Sequence, residues 1–473
     1  MNVLVITSVL GLLPSLYPIY RINRKLELNL FDFIILFHTL NFALVPLWKG
    51  NIMHWSDIGI IETFLYYISF VVLLLCLDFF WHYLYEDRES LINITAYLKK
   101  YNRFKISRTG SIILFMVLVI SLVFYMPKAT YILHLEDAGV VMEHDEKVYT
   151  ALLGSIFNIA GLILILYFSY NIKRLSLKDY RLWMFVAYVI MNLFFPRRVF
   201  LLLLLQVTIC LYAVHRNIFN FKVISFGCGL AIFLYLLYFP FYNIMRYGSG
   251  TVFFNPSAPI ESLVKLSSYA IDNWDTMNKE ATTASDNRSL NLFDAIYDLI
   301  YYNPKPYYGE LTWKAIDISI PKVLNPNKGE GSASILEKAT KHNTDQADSY
   351  LLIAYGDYHY FGSFYALIIY FVLFSIYASY CRLLKKFFDV DILSLYFALM
   401  LFSFTWNVET SLDGCLSWFF SSVPSLAVLI LLEKINMIRI RKTNEEVLLK
   451  LILLSKYILK KHNRKHENPL YLS

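Results

Sequence analysis

Long apolar runs, each bounded by short polar and basic stretches, recur along most of the chain. Crossing ~30 Å of hydrocarbon takes about 20 consecutive apolar residues in a helix. Eleven runs approach that length: 1–20, 30–48, 58–80, 111–127, 149–171, 182–196, 197–214, 223–241, 361–381, 391–408 and 417–433. The pattern predicts an all-α polytopic membrane protein. Residues 182–214 are far too long for one span at ~1.5 Å rise per residue, and Pro196-Arg197-Arg198 interrupts them. A tight helical hairpin is expected there, with that tripeptide at its outer tip.

Segment 242–357 breaks the apolar texture. It carries 10 Lys+Arg against 14 Asp+Glu, with turn signals at Asn303-Pro304-Lys305-Pro306 and Asn325-Pro326-Asn327-Lys328-Gly329. Irregular stretches this long are uncommon in compact domains unless functional or disordered, and the many aromatics oppose disorder. An amphipathic helix is predicted around Leu290–Tyr302, with Phe293, Ile296, Tyr297, Ile300 and Tyr301 on one face. The expected organisation has membrane helices one to eight in 1–241 and a large, partly helical external loop in 242–360. Helices nine to eleven follow in 361–433, and 434–473 is a basic tail.

Composition points the same way. The 473 residues are 57% hydrophobic and 17% charged, whereas soluble domains carry about 25% charged residues. The placement of the charges orients the chain. Segments 21–29, 81–110, 172–181, 215–222, 382–390 and 434–473 hold 28 of the 43 Lys+Arg. The short loops 49–57, 128–148 and 409–416 hold only Lys49, Lys128 and Lys147. The positive-inside bias then sets the N-terminus outside and the C-terminus in the cytoplasm. Merging the sixth and seventh runs would put the basic tail outside, against that bias.

Met1–Tyr20 lacks a basic n-region and a small-x-small cleavage site, so it is expected to be a retained first span. In the tail, Glu445–Leu459 reads either as an interfacial helix drawn to anionic lipid or as a solvated segment. The five cysteines show neither a disulfide framework nor zinc spacing; Cys415 alone falls in an external segment.

Candidate chemistry gathers at the outer side. Arg197 and Arg198 follow Pro196, a residue favoured at the first helical position. Two cations at a helix N-terminus oppose its dipole. A bound anion would reverse that sign, and guanidinium groups at a helix N-terminus suit phosphate. Snorkelling to lipid headgroups is the alternative. Arg246 stands at the root of the large loop, where it fits an anchor as well as a ligand. Near the loop's end, Lys338–Ser349 gathers His342, Asp345 and Asp348 with two lysines. Histidine suits proton transfer near neutral pH. His342 is the first candidate base, His359 a second, and Asp345 and Asp348 are substitutes; an ordinary surface histidine is the bland alternative.

Tyr297, Tyr301, Tyr302, Tyr307, Tyr308 and Trp313 suit sugar rings or the membrane interface. Asp32, His38, Glu62, Asp78 and Gln206 are polar residues within spans, where burial is costly. Glu62 and Asp78 lie near opposite ends of their span and can reach its interfaces. No glycine-rich phosphate loop, HExxH, CxxC pair or GxSxG occurs, so neither nucleotide nor nucleic acid is expected.

The arrangement resembles the O-antigen and oligosaccharide repeat-unit polymerases (Wzy-type) of bacterial inner membranes, whose architecture is that of C-type membrane glycosyltransferases. Pro196-Arg197-Arg198-Val199-Phe200-Leu201 resembles their external arginine leading into an apolar helix, and Arg246-Tyr247-Gly248 the arginine at the loop root. Ser319–Lys328 resembles their proline-rich loop segment, and Gly356-Asp357-Tyr358-His359-Tyr360-Phe361-Gly362 the stretch entering the next span.

The resemblance implies transfer of a polyprenyl-pyrophosphate-linked glycan onto the next lipid-linked repeat unit, with inversion and without metal or cofactor. Arg197, Arg198 and Arg246 would hold the pyrophosphate. A base would come from the loop, with His342 first and Asp345 and Asp348 as substitutes. Tyr247, Tyr301, Tyr308, Trp313 and Lys322 would contact substrate. A chain-length regulator and a flippase are the implied protein partners. The chain also resembles the related O-antigen ligases, and a polysaccharide transporter or flippase is the competing class.

Overall fold

The computed structural model describes residues 2–49, 55–84, 90–126, 144–193, 195, 197–219, 292–301, 305–322, 324–339, 349–406, 408 and 411–442, with isolated positions between 229 and 274. The predicted eighth span, 223–241, and the tail segment 445–459 lie outside the described residues.

The chain is predominantly helical. Among the described residues, seven helical stretches are long and apolar enough to cross a membrane: Val3–Asn23, Leu30–Trp48, Asp57–Trp81, Arg108–Tyr125, Thr150–Arg174, Arg198–Ile218 and Tyr350–Phe388. The pair Leu412–Ser421 and Val423–Lys434, bent by 47°, makes an eighth, and Ile392–Trp406 is a shorter apolar helix.

The elements run α1 (Asn2–Leu12), α2 (Leu16–Asn23), α3 (Leu30–Thr39), α4 (Asp57–Leu84), α5 (Ile94–Lys99), β1 (Tyr101–Ile106), α6 (Arg108–Ile120), α7 (His144–Asn171), α8 (Tyr180–Asn192) and α9 (Arg197–His215). After them come α10 (292–301), α11 (Glu310–Ser319), α12 (Ser332–Ala339), α13 (Tyr350–Tyr358), α14 (Gly362–Phe388), α15 (Ile392–Trp406), α16 (Leu412–Ser421), α17 (Val423–Lys434) and β2 (Ile438–Lys442).

Local chemistry sets the boundaries. Asn29 and Asp32 form a capping box on α3, with Asp32 N–H donating to Asn29 at 2.9 Å and Asn29 N–H to Asp32 at 2.8 Å. Ser107, Asp179, Ser349 and Ser411 cap α6, α8, α13 and α16 by accepting backbone N–H groups. Pro424, in the first turn of α17, has no N–H to continue the helix of α16, and the chain bends there. The break expected at 196–198 is present: α8 ends at Asn192 and α9 starts at Arg197, with Phe195 packed on Tyr125 and Phe157 at 5.4 and 5.6 Å between ring centroids.

Four features differ from the sequence reading. A two-stranded antiparallel ribbon, β1 with β2, joins segment 81–110 to the start of the tail. The stretch preceding the ninth predicted span is helical, and α13 folds back on α14. Tyr350 meets Tyr370 at 4.6 Å, and a Cβ on Gly362 would overlap the carbonyl of Ala354. Only glycine permits that approach. Cys415 is buried in α16 with its Sγ 2.6 Å from Tyr350 Oη, because helix begins at Leu412 where a loop was expected. Asp78 does not project from the surface of the bundle: it is fully buried and held, with Asp32, by the Arg21 guanidinium at 3.3 Å from each. Burying these charges is tolerable because they pair with each other.

The contacts sort the connecting segments to two ends of the bundle. At one end Glu27 pairs with Arg216 at 3.5 Å and Lys99 at 3.9 Å, and Tyr101 Oη donates to Asp391 at 3.3 Å. Glu433 there accepts the Asp391 and Ile392 N–H groups. At the other, Trp55 Nε1 donates to Asp294 at 2.7 Å, Ser56 N–H to Tyr297 Oη at 3.0 Å, and Ser417 Oγ to the Ser319 carbonyl at 3.5 Å. The described parts of the basic segments 21–29, 81–110, 215–222 and 434–473 thus share one end, and Trp55 and Ser56 meet α10 at the opposite one.

Candidate functional site

Helices α10, α11 and α12 form a small helical body on the second end. Of these, α10 shows how. The amphipathic pattern predicts one buried face, yet Leu292 to Leu299 are all buried, including Asp294 and Asp298. Phe293 packs on Trp55 and Phe64, Asp294 accepts the Trp55 indole N–H, and Tyr297 sits over Gly59. The polar side chains on the second face are buried because partners satisfy them.

α11 is fixed by Asp357. This carboxylate has no solvent exposure and accepts the N–H of Leu311 at 2.9 Å, the N–H of Thr312 at 3.0 Å and the Thr312 hydroxyl at 2.7 Å. A carboxylate on the free N–H groups of a helix start is favoured by hydrogen bonding and by the dipole. The preceding backbone is clamped as well: Tyr307 N–H donates to Gly356 O and Tyr308 N–H to Asp357 O, both at 2.9 Å. Tyr308 and Gly309 turn the chain through the left-handed region, at φ 50° and 91°. At the other end of α11 the proline-containing segment folds back on it, with Asn325 Nδ2 donating to Asp317 at 2.6 Å and Lys328 Nζ donating to the Ile318 carbonyl.

Two cavities flank α11. Thr312, Ile316 and Ser319, spaced along one face, line an apolar cavity of about 500 Å³ completed by residues of α14 and α16 such as Val372, Ile376 and Phe419. Glu310 and Lys314, one turn apart on a different face, line a cavity of about 420 Å³ with Tyr307, Glu330, Ile335 and Lys338. Lys338 Nζ donates to both oxygens of Glu330, at 2.6 and 2.7 Å, and holds that exposed carboxyl below its usual range. One helix therefore separates a hydrocarbon-like groove from a charged, water-facing pocket.

The candidate residues named from the sequence fall in several places. Tyr308, Trp313 and Lys322 are on this same body with Tyr308 and Trp313 well exposed, though none lines either cavity. Tyr301 is exposed on α10, stacked on Tyr297 with centroids 5.6 Å apart. Arg197 begins α9, and Arg198 is exposed in its first turn. His342, Asp345, Asp348, Arg246 and Tyr247 lie outside the described residues. Of the polar residues within spans, His38 is buried among Phe42, Phe70 and Tyr370, with Nδ1 at 2.8 Å from the Ile34 carbonyl. That placement makes it a core residue. Glu310, Lys314 and Glu330 are not among the residues the sequence singles out. Their signal is the helical spacing of 310 and 314 against 312, 316 and 319, in a stretch whose turns and aromatics dominate the pattern.

The chain matches no protein-family model, no characterised protein and no solved structure.

Proposed function

We propose that the protein is a bacterial inner-membrane glycosyltransferase that joins polyprenyl-pyrophosphate-linked oligosaccharide repeat units into a surface polysaccharide. The observation that carries this is the division made by α11, with an apolar groove on one side and a charged pocket on the other. Ligand sites pair apolar lining with a few placed polar groups. A lipid-linked glycan needs both surfaces within one molecule's reach, at the membrane boundary.

In this proposal the chain has eleven spans, with the N-terminus outside and the tail in the cytoplasm. The gathering of basic segments at one end supports that orientation. The external loop and α11 then face the side where lipid-linked units are joined. A sugar hydroxyl of one unit attacks the anomeric carbon of another. The glycosidic bond to the carrier breaks, and polyprenyl pyrophosphate leaves with the bonding electrons. Arg197 or Arg198, together with Arg246, would stabilise that anion through forked hydrogen bonds without losing a proton. His342, or Asp345 or Asp348, would accept the hydroxyl proton. Direct displacement inverts the anomeric centre. Tyr247, Tyr301, Tyr308, Trp313 and Lys322 would contact sugar.

A ligase of similar type would use a different acceptor. A transporter or flippase would need unpaired charge within the spans, and the Arg21, Asp32 and Asp78 side chains are engaged with one another. The deciding experiment is electrophoretic length profiling of surface polysaccharide in a strain lacking this gene. Single repeat units, restored to a ladder by the intact gene, are expected. An unchanged ladder would overturn the proposal.

A further inference from the structure

The charged pocket beside α11 is held in shape by its own backbone and core. Tyr307 is fixed by its N–H on the Gly356 carbonyl, at 2.9 Å. Leu311 of α11 and Leu336 of α12 are fully buried and close over Gly356, where a Cβ would lie 2.5 and 3.5 Å from them. The segment between the two helices is anchored on α11. Lys328 Nζ donates to the Ile318 carbonyl, and a Cβ on Gly331 would lie 2.9 Å from Ile318 Cδ1. Glu330 sits between those two anchors, so fixed backbone presents its carboxylate to the pocket. A preformed site loses less freedom on binding than one that must order itself.

The lining mixes the two signs of charge throughout. On α11, Glu310 and Lys314 are one turn apart. From the neighbouring segment, Lys338 Nζ donates to both Glu330 oxygens, and Lys314 lies within electrostatic reach of the same carboxylate. The half-buried Tyr307 and Ile335 supply the apolar part. The volume of about 420 Å³ falls within the ~300–1,000 Å³ of small-ligand sites.

These features discriminate among ligand classes. A phosphate or other polyanion would meet Glu310 and Glu330 as like charges. A hydrocarbon chain would strip water from charged groups and offer nothing in return. A sugar hydroxyl both donates and accepts, so a carboxylate and an ammonium one turn apart use both of its capacities. The C–H face of the same ring packs on an aromatic side chain. We propose that this pocket is a saccharide subsite that takes an uncharged sugar of the glycan and not its pyrophosphate. The proposal deepens the transferase reading and rests on it for the presence of a glycan at this end of the molecule. Tyr308 and Trp313, exposed and adjacent in sequence to Tyr307 and Lys314, then offer flat faces to the neighbouring sugars.

The test uses the purified full-length protein in phosphatidylcholine nanodiscs, with empty discs as the blank, and equilibrium binding by surface plasmon resonance. The probes are uncharged trisaccharides (maltotriose, mannotriose and triacetylchitotriose), trigalacturonic acid, inorganic pyrophosphate, and the dipeptide alanyl-alanine, whose two charges also match the lining. At least one uncharged trisaccharide is expected to bind, and to bind more tightly than the three charged probes. Glu310→Gln/Lys314→Gln should weaken that binding about tenfold or more, because hydrogen bonds to charged groups are lost. A Lys178→Gln control removes an exposed lysine outside this body and should bind as the wild type does.

Equal binding by the wild type and the double variant would overturn the proposal. So would a preference for pyrophosphate, trigalacturonate or the dipeptide, and so would the failure of every uncharged trisaccharide to bind. If the double variant does not fold, carboxyl footprinting of the wild type decides. An uncharged trisaccharide should slow carbodiimide labelling of Glu310 where pyrophosphate does not, and equal labelling with and without the trisaccharide counts against the subsite. Binding is read without turnover, so the subsite and the transferase reading fail separately. A bound trisaccharide with an unchanged polysaccharide ladder would remove the polymerase and keep the subsite. A lost ladder with no saccharide bound would do the reverse.

Discussion

Asp357 and Thr312 are joined twice: one carboxylate oxygen accepts both the backbone N–H, at 3.0 Å, and the side-chain hydroxyl, at 2.7 Å. The two residues are far apart in sequence, and the link ties the last turn of α13 to the first turn of α11. Thr312 also lines the apolar groove. The clamp thereby fixes the helix that separates groove from pocket, and Gly356 and Asp357 serve as that helix's anchor.

Breaking the clamp should cost stability before anything else. Asp357→Ala leaves the N–H groups of Leu311 and Thr312 and the Thr312 hydroxyl without their acceptor. Each buried unsatisfied group costs ~1–3 kcal/mol, so a loss of about 2–4 kcal/mol is expected, allowing for partial relaxation. Thr312→Val removes only one donor and should cost about 1 kcal/mol. Thermal unfolding in detergent measures both. Equal midpoints for Asp357→Ala and wild type would mean that α11 is held by other contacts.

The buried ion triad makes a stricter prediction. Arg21 holds Asp32 and Asp78, each fully buried, at 3.3 Å. Arg21→Met leaves two carboxylates facing each other with no cation. Removing one partner of a buried pair costs ~3–5 kcal/mol, so this variant should fail to accumulate. The triple variant Arg21→Met/Asp32→Asn/Asp78→Asn should recover much of the loss, because no uncompensated charge remains. Membrane-fraction yield and unfolding midpoint provide the readout. A triple variant no better than Arg21→Met would show that the triad contributes through shape and not through charge balance.

How much of this is legible in the sequence depends on the range of the interaction. The apolar runs and the break at Pro196-Arg197-Arg198 are local, and the helices follow them closely. The distribution of Lys and Arg, which needs no contacts at all, anticipates which segments share an end. The β1–β2 ribbon is not legible: its strands are more than 300 residues apart, and each is a short alternating run beside a long apolar helix. Nothing local distinguishes Ile438-Arg439-Ile440 from a frayed helix end. The burial of Asp78 is hidden for a similar reason, since its partner Arg21 belongs to another span. The polar pocket is only half visible, because the helical spacing of Glu310 and Lys314 is local but Glu330 and Lys338 reach it through tertiary folding.

The groove offers a test of substrate character. Ile316 lines it near the exposed side of α11. Ile316→Trp would fill volume that a prenyl chain is proposed to occupy, at little cost to a partly exposed site. Displacing two methylene equivalents of lipid costs ~1.6 kcal/mol, about tenfold in affinity. KM for a long-chain lipid-linked donor should therefore rise about tenfold while a short-chain analogue is unaffected. Equal effects on both donors would remove the groove from the proposed site. Lys314→Ala, on the pocket side, should instead weaken both donors alike.

The proposed chemistry itself rests on the outer arginines and the loop base, and their variants should separate by kinetic signature. The linked pyrophosphate is already anionic and gains one further negative charge as it leaves, so Arg246→Ala and at least one of Arg197→Ala and Arg198→Ala should raise KM and lower kcat, with kcat the more affected. Loss of one preorganised donor to a developing anion costs about 10²–10³ in rate. His342→Ala should lower the rate by about 10²–10⁴ as general base catalysis is lost, and the pH profile should lose its limb near neutrality. Expression and unfolding midpoint should stay at wild-type level in all four, which separates these variants from those of Asp357 and Arg21. Normal glycan ladders in every arginine variant would remove the proposed pyrophosphate site. Near-normal turnover in His342→Ala alone would pass the base to Asp345 or Asp348, and their alanine variants would then have to show the missing limb.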